Sequence, residues 1–177
     1  VNDSCLGMHY LWGAAYAALG FIVVAIEGRG TPRRSKAFRD HGYGELAKSN
    51  DLEDRIAGLQ QLAKRYPYMD LDRVGITGTD APTNAVFGLL DHPDFYKAAV
   101  LQGYSEAETW GHIMKIIHPQ SNDPSATPKI RNATDYVESL KGKLLLILGG
   151  LNPDSMVCGL QLIEALQKAN KDVDLIC

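Results

Sequence analysis

Cysteine is scarce in this chain of 177 residues, occurring only at Cys5, Cys158 and Cys177. An odd count cannot close into a full set of intrachain disulfides, and the spacing matches no zinc pattern. The five histidines share no metal-ligand spacing either, so neither a metal nor a cofactor is expected. Long apolar runs are lacking. The strongest candidate, "LGFIVVAI" at 19–26, has the length of a strand and falls far short of a membrane span. Basic residues form no long run and the net charge is −3, which argues against nucleic acid or an anionic membrane as partner. A basic start followed by an apolar core and a small-residue cleavage site is missing as well. With the odd cysteine count, that predicts reduced thiols and favours a cytoplasmic setting. Asn132-Ala133-Thr134 matches the glycosylation triplet, a pattern that is common by chance.

What is present fits one α/β domain over residues 1–177, long enough to bury a core. "HYLWGAAYAALG" reads as a helix with Tyr10, Leu11, Ala14, Ala15 and Ala18 on one stripe and Gly20 at its C-cap. "FIVVAI" at 21–26 is uninterrupted, apolar and rich in β-branched residues, which predicts a strand buried on both faces. "NDLEDRIAGLQQLAKRY" at 50–66 reads as a helix capped by Asn50 or Asp51, with Leu52, Ile56, Leu59 and Leu62 on one side. Further strands are expected in "RVGIT" (73–77), "YKAAVLQG" (96–103), "GKLLLILGG" (142–150) and "DVDLI" (172–176). Between them come helices at about 81–90, 106–117 and 156–170, and a short one in "NATDYVESL". Apolar strands alternating with amphipathic helices predict a mostly parallel sheet flanked by helices on both faces. Ligand sites in such sheets lie past the carboxyl ends of the strands.

Two pieces of that edge bear on chemistry. The first is Gly78-Thr79-Asp80-Ala81-Pro82, a strand-to-helix turn with the outline of a nucleophile elbow, Gly-x-Ser-x-Gly. Aspartate stands at the serine position and proline at the last glycine. The second is "GGLNPDS" after the strand at 142–150. Other motifs carry less. "EGRGTP" lacks the third glycine of a dinucleotide fingerprint, and "DLEDR" and "MDLDR" lack the spacing of a calcium loop.

The blocks "LGFIVVAIEGRGTPRRSKAF", "YGELAKSNDLEDRIAGLQQLAKRYPYMDLDRVGITG", "HPDFYKAAV" and "LKGKLLLILGG…LIEALQKANKDVDLI", in that order and spacing, resemble one family. It is the α/β-hydrolase catalytic domain of the prolyl oligopeptidase group, its dipeptidyl peptidase IV-like branch in particular. The resemblance runs from about Leu19 to Ile176. It implies a Ser-Asp-His triad, and each member is altered or missing here. Asp80 stands at the serine position, with Pro82 and Thr83 at glycine positions. The triad aspartate falls at Asn152, with Asp154 close by as a shifted substitute. The histidine belongs beyond "DVDLI", and the oxyanion tyrosine has no counterpart before Val1.

Three readings of Asp80 follow. As a helix N-cap its carboxylate accepts from free N–H groups at a helix start, where negative charge is favoured and proline is tolerated. As a covalent nucleophile it resembles the aspartate of haloalkane dehalogenases and epoxide hydrolases, with the N–H of Ala81 as surviving oxyanion donor and His92, His112 or His118 as candidate base. Residual serine chemistry at Ser105 or Ser155 is the third. Peptide cleavage by Asp80 is excluded chemically, because a carboxylate attacking a peptide carbonyl gives an anhydride that reverts. The expectation is a degenerate peptidase-like domain that binds a small molecule or peptide at the old active-site edge, or serves in assembly. The alternative is an active hydrolase using Asp80. A full domain of this group has more strands on both sides, so a homo-oligomer or the remainder of a longer chain is expected against the open edges.

Overall fold

The computed structural model describes residues 8–30, 34–41, 51–79, 84–105 and 131–177. The expected helix at 106–117 and the elbow residues Asp80 to Thr83 lie outside them. Contacts group the chain into two compact units, residues 1–42 with 50–71, and residues 43–49 with 72–177.

In the first unit, α1 spans Met8–Ala18, α2 Lys36–Asp40 and α3 Leu52–Arg65. Gly20 ends α1 in the left-handed region, at φ 92°. Its N–H donates to Ala17 O at 2.9 Å and the next N–H, of Phe21, donates to Tyr16 O at 3.2 Å. That is a Schellman cap, which a side chain at Gly20 would strain. Of the predicted stripe, Ala14, Ala15 and Ala18 are exposed, while Gly13 and Tyr16 are half-buried; the side chains of Tyr10 and Leu11 lie outside the described residues. Gly13 faces Val23. Leu52 is buried at the start of α3, and Ile56, Leu59 and Leu62 are half-buried. Asp51 takes the N-cap position but makes no cap bond; its carboxylate accepts from Arg55 at 2.5 Å. Arg29 binds Asp54 through its side chain at 2.8–3.0 Å and through its backbone N–H at 2.8 Å. This ties the loop at 27–30 to α3.

The predicted strand at 21–26 does not form. These residues belong to no strand, and Phe21, Ile22 and Val23 are 64%, 53% and 46% exposed. Composition marks a segment that fits a pleated surface, but a strand exists only where another strand completes its ladder. None does so among the described residues.

The second unit holds a four-stranded, wholly parallel sheet: β1 Val74–Thr79, β2 Tyr96–Gln102, β3 Lys143–Ile147 and β4 Asp174–Ile176, in spatial order β1-β2-β3-β4. α4, Asn84–Asp91, joins β1 to β2, and α5, Pro153–Lys168, joins β3 to β4. A 3-10 helix, Ala133–Ser139, precedes β3. Residues 85–90 of α4 are all buried, as expected of a helix apolar all round. α5 buries Ser155, Cys158, Gly159, Leu162 and Leu166, one helical stripe. Leu144, Leu146 and Leu148 are buried while Leu145 and Ile147 are half-buried, so the deepest core lies on one face of β3. A methyl group at Gly159 would stand 2.4 Å from Leu148 Cδ1, so only glycine lets α5 lie this close to that residue.

Arg131 fixes the 3-10 segment to α4. Its guanidinium donates to both carboxylate oxygens of Asp91, at 2.5 and 2.7 Å, and lies over the rings of Phe87 and Tyr136 at 4.5 and 4.2 Å. Ser139 Oγ donates to Leu90 O at 2.9 Å beside it.

Candidate active site

Parallel strands bring their carboxyl ends to one edge. Thr79, the last residue of β1, pairs with Gln102 of β2, which pairs with Ile147 of β3. The three following loops therefore start side by side, with about 4.8 Å between neighbouring strands. The loop after β1 opens with Asp80 and Ala81, which lie outside the described residues. After β2 the chain turns at Gly103, with φ 67° and its N–H donating to Ile147 O at 2.9 Å. Tyr104 and Ser105 follow, both buried. After β3 come Leu148, Gly149 and Gly150, the fully exposed Leu151, then Asn152.

Asn152 is the N-cap of α5. Its φ/ψ of −102°/98° is extended, and its Oδ1 accepts from the N–H of Ser155 at 3.1 Å. Pro153 follows in the first turn, where its missing N–H costs nothing. Asp154 also lies in the first turn, where the helix dipole favours its charge. It is exposed and its carboxylate makes no hydrogen bond or ion pair among the described residues. The predicted helix from 156 thus begins three residues early. The Asn-Pro pair before an apolar stripe is the signal that marks this start.

Ser155 is 2% exposed, and its Oγ is buried without a hydrogen-bond partner among the described residues. It faces the core beneath the candidate edge, which leaves it no access to a substrate in solvent. Ser105 is 5% exposed.

His92 follows the last residue of α4. α4 runs back from the carboxyl end of β1 to the start of β2, so His92 stands at the amino edge of the sheet, opposite the site. His112 and His118 lie outside the described residues. The edge therefore gathers an amide at Asn152, a solvated carboxylate at Asp154 and two buried serines. An amide oxygen can cap a helix, but it carries no charge with which to stabilise an imidazolium. Among the described residues no group of three or more His, Cys, Asp or Glu could hold a metal ion. Asn132, the acceptor of the glycosylation triplet, has its Oδ1 buried and without a hydrogen-bond partner among the described residues.

Comparison with known proteins places this geometry. The profile of the prolyl oligopeptidase family matches residues 8–177. Human dipeptidyl peptidase 8 is 33% identical over 184 residues, which cover 99% of this chain and 20% of that protein. An uncharacterized peptidase of Bacillus subtilis, YuxL, is 25% identical over 190 residues, covering 96% of this chain and 28% of its own length. The chain thus spans between about a fifth and somewhat over a quarter of the length of these relatives. The crystal structure of Porphyromonas gingivalis dipeptidyl peptidase 4 superposes with a TM-score of 0.75 at 24% identity, over 93% of this chain and 24% of that one.

Proposed function

Because this chain belongs to the prolyl oligopeptidase family, we propose that it is a hydrolase-type domain of that family which does not turn over peptides and instead binds a ligand or takes part in assembly. The observation that carries the reading is the residue after β3. Where the family resemblance places the triad acid, the chain has Asn152, and its side-chain oxygen is taken up by the N–H of Ser155. Asp80 at the serine position supports it, since a carboxylate attacking a peptide carbonyl yields an anhydride rather than a useful acyl-enzyme. The ligand is a small molecule or peptide held at the carboxyl edge, where the loops after β1, β2 and β3 start side by side.

The test is hydrolysis of a p-nitrophenyl ester, a Xaa-Pro-nitroanilide and an epoxide by the chain and by its Asp80→Ala variant. The proposal expects equal rates from the two proteins on every substrate. Activity lost in the variant would make Asp80 a working nucleophile or base, and the non-catalytic reading would be abandoned.

A further inference from the structure

We draw no further inference here: the strongest candidate, the outward apolar face of α5 at Val157 and Leu160 with Leu151 just before the helix, is exposed in this chain, and nothing in the structure shows what covers it.

Discussion

Ser155→Ala should stabilise the protein. The hydroxyl of Ser155 is buried at the first turn of α5 and has no partner among the described residues. An unpaired buried polar group costs about 1–3 kcal/mol. Replacing the hydroxyl by hydrogen leaves a void of roughly 10 Å³, and at about 24 cal/mol per Å³ that returns only about 0.2 kcal/mol of cost. Alanine also gains a few tenths of a kcal/mol in helix propensity. The backbone N–H of residue 155 still reaches Asn152 Oδ1, so the cap survives. The net expectation is about 1–2 kcal/mol of added stability. For a chain of this length that raises Tm by roughly 2–8 °C. Calorimetry or urea unfolding measures it directly. Asn152→Ala, which removes the acceptor of the same cap, should move the other way by about 1 kcal/mol. If Ser155→Ala lowers stability by 1 kcal/mol or more, the hydroxyl is satisfied in the native state and the reasoning fails.

Three further outcomes follow from named contacts. Arg131→Ala removes a bidentate pair with Asp91 and two ring contacts, and should cost roughly 2–3 kcal/mol in urea unfolding. Arg131→Lys should recover less than half of that, because lysine has neither the planar fork nor the stacking face. Gly142→Ala would put a methyl 2.7 Å from Lys97 O and 2.6 Å from Leu89 Cδ2, so the backbone must shift, at a cost of about 1–3 kcal/mol read as a lower urea midpoint. The hydrogen bond from Arg29 is the main cause holding Asp54 below the ordinary aspartate range. A depressed carboxyl stabilises the fold above its unfolded value of about 3.9 and loses that contribution as pH falls through the lower folded value. Acid titration should show the loss below about pH 4, and Asp54→Asn should flatten that limb of the curve.

Most of the second unit was legible because its signals are local. "KLLLI" is an apolar run of strand length, and the stripe at 158, 159, 162 and 166 recurs at helical spacing. The segment at 21–26 has the same local signal, yet it forms no strand, since pairing depends on a partner that composition cannot supply. The clamp of Arg131 on Asp91 joins residues forty apart and leaves no trace in either neighbourhood. At the candidate site, the sequence marked Asn152 and Asp154 through the family's order of elements. That Asn152 caps α5, and that Ser155 turns into the core beneath it, follows only from where the helix begins.

The central claim, a peptidase-family hydrolase domain without peptide turnover, meets its most direct test in the hydrolysis of a Xaa-Pro-nitroanilide. Loss of one triad member alone removes roughly four orders of magnitude or more in rate, so the account predicts release indistinguishable from buffer and from the Asp80→Ala variant. Turnover above buffer that vanishes in Asp80→Ala would contradict it.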